Sequence, residues 1–291
     1  MGIGTDRGWA RVLPIGSLIL SVGLAPLMSC GAAAQAARDV QRNSNRAEED
    51  KTLDAAQGRS ASTCAMPADP KSRDRLTILA TKCCIATPPT DRNCLHFSQK
   101  DQFVIIKDGG ARKPYGYLLV PSVPVAGIEA TKQTEADPVA EFWQYGWQEA
   151  MHGYLKKPPQ YMALAINSEK GRDQDQLHIH ISCVHQSVAD RLAKAGPISR
   201  DPAKPSVVSL GAHENQYEVI TLASLTGDNS PFRVLTRFPH ASRYIGDQSI
   251  AIIGTGKNPP FYMAVTYYVD GKNPGTAEEL LDQTDGCGRM G

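Results

Sequence analysis

Apolar and polar residues alternate through Gln176-Leu177-His178-Ile179-His180-Ile181-Ser182-Cys183, the period that a strand requires. Leu177, Ile179 and Ile181 then face a core, and Gln176, His178 and His180 line the opposite face. Residues two apart on such a face stand about 7 Å apart on a rigid support. Other runs predict the elements around it. Leu76 to Cys84 suits a short helix, and Phe103 to Lys107 a strand closed by the Asp108-Gly109-Gly110 turn, with Tyr115 to Val120 as antiparallel partner. Phe142, Trp143, Tyr145, Trp147, Met151 and Tyr154 mark Ala140 to Leu155 as a helix packed on the sheet. Tyr161 to Asn167 is the strand before the histidines. The pattern predicts an α+β domain with a mainly antiparallel sheet.

A weaker pattern repeats. Lys156-Lys157-Pro158-Pro159-Gln160-Tyr161-Met162-Ala163-Leu164 matches Lys257-Asn258-Pro259-Pro260-Phe261-Tyr262-Met263-Ala264-Val265 at an offset of 101, and Tyr115 to Val120 has a counterpart in Phe232 to Phe238. The expectation is a degenerate duplication whose second half has lost the histidine strand, against chance similarity of apolar strands.

The N-terminus belongs to neither half. Arg7 and Arg11 precede the apolar run Val12 to Met28, followed by Ser29-Cys30-Gly31 and three alanines, the order of an export signal over residues 1–30. Leu27-Met28-Ser29-Cys30-Gly31 resembles a lipoprotein processing site with Cys30 as the acylated residue; ordinary cleavage near Ala34 and retention as an anchor are the alternatives. Residues 31–75 are poor in large apolar side chains and form a flexible linker on this reading, so the folded domain spans 76–291, divided near 196. The expected location is outside the cytoplasm, at a membrane facing the periplasm or cell exterior.

Cysteine usage agrees with export. Of seven cysteines, Cys64, Cys83, Cys84, Cys94, Cys183 and Cys287 remain once Cys30 is assigned to the signal, an even set that suggests disulfides. Cys84 with Cys94 makes a local loop and Cys183 with Cys287 ties the C-terminus to the histidine strand; Cys183 as a plain buried hydrophobe is the alternative. A net charge of +1, with Lys and Arg scattered, argues against a nucleic-acid partner.

The histidine face points to chemistry on phosphorus. Neutral imidazole is abundant near pH 7 and attacks phosphorus, while a second histidine stabilises the developing charge. His178, His180 and the non-titrating Gln176 offer these roles with no metal or other cofactor. The preceding loop adds Arg172 as a bidentate phosphate contact, with Asn167, Ser168 and Gln174 as polar contacts and Lys107 at the end of a neighbouring strand. The rivals are a metal site completed by His185, His213 or His240, a two-histidine phosphoesterase built from His180-Ile181-Ser182 and His240-Ala241-Ser242, and a binding module without turnover.

The strand resembles that of the histidine-triad superfamily of nucleotide hydrolases and transferases. Ala165-Ile166-Asn167-Ser168, Gly171-Arg172, Gln174 and Leu177 to Cys183 resemble one branch of it, bacterial CDP-diacylglycerol pyrophosphatase. Val104 to Asp108, Tyr117 to Pro121, Gly127-Ile128-Glu129 and Phe142-Trp143 extend the match, which spans roughly Leu76 to Cys287 and is loose after Pro197. The resemblance implies a histidine-triad-like fold and hydrolysis of CDP-diacylglycerol to CMP and phosphatidate at a membrane surface, through a cytidylyl intermediate on His178 with His180 and Arg172 as charge stabilisers. Gln176 stands where the triad pattern has its first histidine, which leaves the reactive positions filled. A non-catalytic nucleotide- or lipid-binding lipoprotein of the same fold and a metal-dependent phosphoesterase are the alternatives.

Overall fold

Residues 64–69, 71–109, 112–239, 244–256, 260–267 and 275–290 are described in the computed structural model of the chain. The signal segment with Cys30, most of the linker, and His240 with Ala241 and Ser242 lie outside them. Among the described residues, no helix is long and apolar enough to cross a membrane.

Among the described residues, ten strands form one antiparallel sheet: β1 (Cys94–Ser98), β2 (Phe103–Lys107), β3 (Tyr117–Pro121), β4 (Met162–Ile166), β5 (Ile179–Val184), β6 (Ser206–Leu210), β7 (Asn215–Leu222), β8 (Gln248–Gly254), β9 (Phe261–Tyr267) and β10 (Leu281–Asp282). Their order is β1-β2-β3-β5-β4-β8-β9-β7-β6, with β10 paired to the end of β5. The architecture is therefore α+β with an antiparallel sheet.

Pleating separates two cores. Phe103, Ile105, Leu119, Met162, Leu164, Ile166, Ile179, Ile181 and Cys183 pack with Phe142, Trp143 and Trp147 of the helix Phe142–Gln148. That helix follows a 3-10 turn at Val139–Glu141 and widens into a π turn at Glu149–Tyr154, so the expected Ala140 to Leu155 helix is three helical geometries in series. On the other face, Val104, Ile106, Leu118 and Val120 pack with Leu76, Ala80 and Cys84. Farther along that face, Ala163, Ala165 and Val184 pack with Val188 and Leu192 of the helix Gln186–Lys194. His180 pairs with Leu118 on one side and Ala165 on the other, so it lies where these two clusters meet.

The strand order is a palindrome about the β4–β8 pair: β2-β3-β5-β4 is mirrored by β6-β7-β9-β8. Each half also places a helix between its second and third strands, Phe142–Gln148 in the first and Pro231–Leu235 in the second. The topology supports a duplication but corrects its alignment. The sequence echo set β4 against β9, whereas position in the sheet sets β4 against β8 and the histidine strand β5 against β9. The second half has thus kept the strand and lost its histidines: Tyr262, Ala264 and Thr266 alternate there instead. The counterpart expected in Phe232 to Phe238 is no strand, because Ser230-Pro231 opens a helix with proline at its first position, where the missing N–H costs nothing.

Three disulfides join Cys64 to Cys83, Cys84 to Cys94 and Cys183 to Cys287. The second and third are the pairs expected from the sequence. The third spans a sequence separation of 104, for which chain entropy alone gives a stabilisation of about 4–5 kcal/mol. It pins the C-terminal segment to the histidine strand, and that segment carries Glu278.

Candidate active site

Ile179 and Ile181 are fully buried in the aromatic core, and this fixes His178 and His180 on the other face. Their rings are 4.9 Å apart and inclined at 71°. Nδ1 of His178 lies 2.7 Å from the carbonyl oxygen of Gln176. A carbonyl only accepts, so Nδ1 carries the proton and Nε2 keeps its lone pair. Burial, reinforced by the neighbouring His180, pushes the His178 pKa down to about 4, so the ring is neutral at neutral pH.

The Gln176 side chain faces away from this task. Its Oε1 accepts from the Val125 N–H at 3.2 Å, and its Nε2 donates to the carbonyls of Pro121 and Val123 at 3.1 and 2.7 Å. With the Leu177 N–H donating to Val125 at 2.7 Å, this fastens the loop after β3 to the start of the histidine strand. The amide holds the loop, and the main-chain carbonyl of the same residue holds the imidazole.

Two carboxylates flank His180. Glu278 Oε2 is 3.3 Å from its Nε2 and Asp108 Oδ2 is 3.8 Å from its Nδ1. The Lys113 ammonium bridges the same two acids, 3.0 Å from Asp108 and 2.7 Å from Glu278. Asn167 grips Glu278 twice: its Nδ2 donates to Oε2 at 3.1 Å, and its Oδ1 accepts from the Glu278 N–H at 3.0 Å. Burial raises the carboxyl pKa values of Asp108 and Glu278, but His180 and Lys113, joined at Glu278 by Asn167, outweigh it and hold both below the usual range. Burial likewise lowers the Lys113 pKa, and the two acids more than reverse the effect.

The other candidates from the sequence are held elsewhere. Arg172 makes a two-pronged ion pair with Glu129, Nη1 to Oε2 at 2.8 Å and Nη2 to Oε1, with its side chain 4% exposed. The turn at Gly127 has φ +71°, and a Cβ there would run into that guanidinium. Ser168 is fully buried; its Oγ accepts from the Gly171 N–H, and its own N–H donates to Ser249. Gln174 accepts from the Leu76 N–H and donates to the Ser72 carbonyl, tying the loop to the first helix. Lys107 donates to the carbonyls of Asp108, Lys113 and Gly116 and lies over the Tyr117 ring. Sequence reasoning missed Asp108, Lys113 and Glu278 as site residues. Asp108 was visible only as a turn former, and nothing local to Glu278 announces a neighbour 98 residues back, His180.

Asp108, His180 and Glu278 each offer an atom within 4.8 Å of the others, a set able to ligate a cation. The Lys113 ammonium already bridges the two carboxylates, so a metal ion would compete with it for their negative charge. His185 lies instead beside Asp282, 4.0 Å away.

The family model described as CDP-diacylglycerol pyrophosphatase matches residues 71–288. A CDP-diacylglycerol pyrophosphatase of Yersinia pestis is 30% identical over 218 residues, covering 72% of this chain and 83% of that protein. Among solved structures, the yeast Ap4A phosphorylase in complex with AMP aligns at 16% identity and a TM-score of 0.34, over 59% of this chain and 58% of that one. A DUF4931 family protein from Bacillus cereus aligns at 12% identity and a TM-score of 0.35, over 60% and 87%.

Proposed function

The chain belongs to the CDP-diacylglycerol pyrophosphatase family, and on that premise we propose that it hydrolyses CDP-diacylglycerol to CMP and phosphatidate with His178 as nucleophile. The observation that carries this reading is the 2.7 Å contact of Nδ1 with the Gln176 carbonyl, which leaves a neutral Nε2 with a free lone pair. Nε2 forms a bond to the CMP phosphorus as the bond from that phosphorus to the bridging oxygen breaks. The bridging oxygen leaves with phosphatidate, a stable phosphomonoester that needs little acid catalysis. Water then attacks the cytidylyl-histidine; the phosphorus–nitrogen bond breaks, CMP departs, and the water proton passes to solvent or the product phosphate.

His180 supplies the electrostatic partner. Its ring lies 4.9 Å from that of His178 and is held beside Glu278, 3.3 Å from Nε2, which sets it next to the attacked phosphorus on this reading. Lys113, which bridges the two acids that flank His180, is the cation of the site on this reading, in place of Arg172 and Lys107, which are held away from the histidines by Glu129 and by main-chain carbonyls. The signal-like residues 1–30 and the linker support a location outside the cytoplasm, with the domain tethered to the membrane that holds its substrate. Fractionation of the full chain checks this: recovery in the soluble cytoplasmic fraction contradicts it.

Product analysis tests the function. The full chain releases CMP from CDP-diacylglycerol, and EDTA leaves the rate unchanged; formation of CDP, or loss of turnover on chelation, overturns the reading. The pH dependence tests the nucleophile. Protonation at Nε2 removes the attacking lone pair, so kcat/KM stays level from pH 7 to about 5 and falls about tenfold per unit once pH drops below the depressed pKa near 4. A fall centred near the ordinary histidine value would contradict a buried, neutral His178.

A further inference from the structure

The half of the sheet that lacks histidines holds a cavity of about 380 Å³, within the range of small-molecule sites. Its apolar wall includes Ile220, Leu222, Val234 and Pro260, and Arg200 and Arg237 also line it. Ile220 and Leu222 belong to the core beneath the aromatic helix, so this cavity opens from the sheet face opposite His178 and His180.

Both arginines are exposed at the cavity and neither is neutralised by a described acid, as holds for Arg75, Arg92, Arg112 and Arg289 as well; what sets these two apart is that they line one cavity. Arg73, Arg172, Arg191 and Arg233 each pair with a carboxylate. Among the described residues no carboxylate pairs with Arg200 or Arg237; the Arg237 guanidinium donates to the Asp228 carbonyl at 3.3 Å. Two guanidinium groups offer planar forks suited to phosphate oxygens, and the apolar wall gains by covering hydrocarbon. A carboxylate would leave one of the two charges unmatched, and a zwitterionic head would add a repelled cation. A phosphomonoester, close to dianionic at neutral pH, matches both.

We propose that this cavity is a second, non-catalytic site for a phosphomonoester lipid, the chemical class that includes phosphatidate. The apolar wall takes acyl chain, and Arg200 and Arg237 take the phosphate. The site does not depend on the route proposed for His178, because it lies on the other face and shares no residue with it.

Calorimetric titration of the full chain with dihexanoyl phosphatidic acid, kept below its micelle concentration, tests the proposal. The expected result is a binding event, separate from any at the histidine face, that is lost in the Arg200→Glu/Arg237→Glu variant and in Ala223→Trp, which blocks the cavity without changing charge. Both variants keep the wild-type rate of CMP release. Glycerol 3-phosphate, which lacks chains, and dihexanoyl phosphatidylcholine, which lacks net negative charge, each bind the second site at least about tenfold more weakly. Absence of any binding event that both variants abolish, or equal binding of glycerol 3-phosphate, overturns the proposal. Failure of the wild type to release CMP would instead strike the catalytic reading and leave the binding result standing.

Discussion

His178→Ala is expected to lower kcat/KM for CDP-diacylglycerol by about ten-thousand-fold or more, the scale of losing a covalent nucleophile. The ring is 8% exposed, and its Nδ1–H satisfies the Gln176 carbonyl, so the substitution also leaves a small void and an unpaired acceptor. That structural cost is on the order of 1–3 kcal/mol, and three disulfides and two apolar cores can absorb it. A circular dichroism spectrum and melting curve close to wild type separate lost chemistry from lost fold. His180→Ala is expected to cost less, about a hundred- to a thousand-fold, because it removes charge stabilisation and leaves the attacking atom in place. Turnover by His178→Ala above a tenth of wild type would contradict the assignment.

A loss of about 3–5 kcal/mol of stability is expected from Glu129→Leu, which strands the Arg172 guanidinium without its partner. Arg172→Met costs less, since Glu129 is 16% exposed and regains water more readily. The double variant recovers most of the loss, because an apolar pair of similar volume replaces a desolvated ion pair. Urea denaturation of the four proteins completes the cycle. The same cycle decides what Arg172 does for the substrate. An ion pair that only shapes the loop gives a double variant with KM within about threefold of wild type; a KM raised more than about tenfold in a stable double variant would restore Arg172 to phosphate binding.

The sequence made β5 legible because its period and residue types agree: Ile179 and Ile181 demand a core, and His178 and His180 alternate with them on the opposite face. The same holds for the aromatic run from Phe142 and for the two disulfides, one local and one closing the chain. What stayed hidden is what depends on distant chain segments converging. Glu278 lies beside His180 where β10 pairs with β5, and Lys113 joins it from the turn between β2 and β3. Arg172 and Gln176 were legible as polar residues beside the site but not in their tasks, since Glu129 and the loop at Val125 take their hydrogen bonds. The duplication was legible in outline and misaligned in detail, because Tyr-Met-Ala followed by an aliphatic residue suits any apolar strand, whereas sheet order distinguishes β4 from β5.

The central claim is attack by His178 on the CMP phosphorus, and capture of the intermediate tests it most directly. The full chain, mixed with CDP-diacylglycerol and quenched in alkali within one turnover, is digested and its peptides are weighed. The account predicts one cytidylyl group, stable to base and labile to acid as a phosphoramidate is, on the peptide containing His178 and absent from His178→Ala. Productive turnover with no adduct at any quench time and solvent oxygen incorporated into phosphatidate in place of CMP would contradict it.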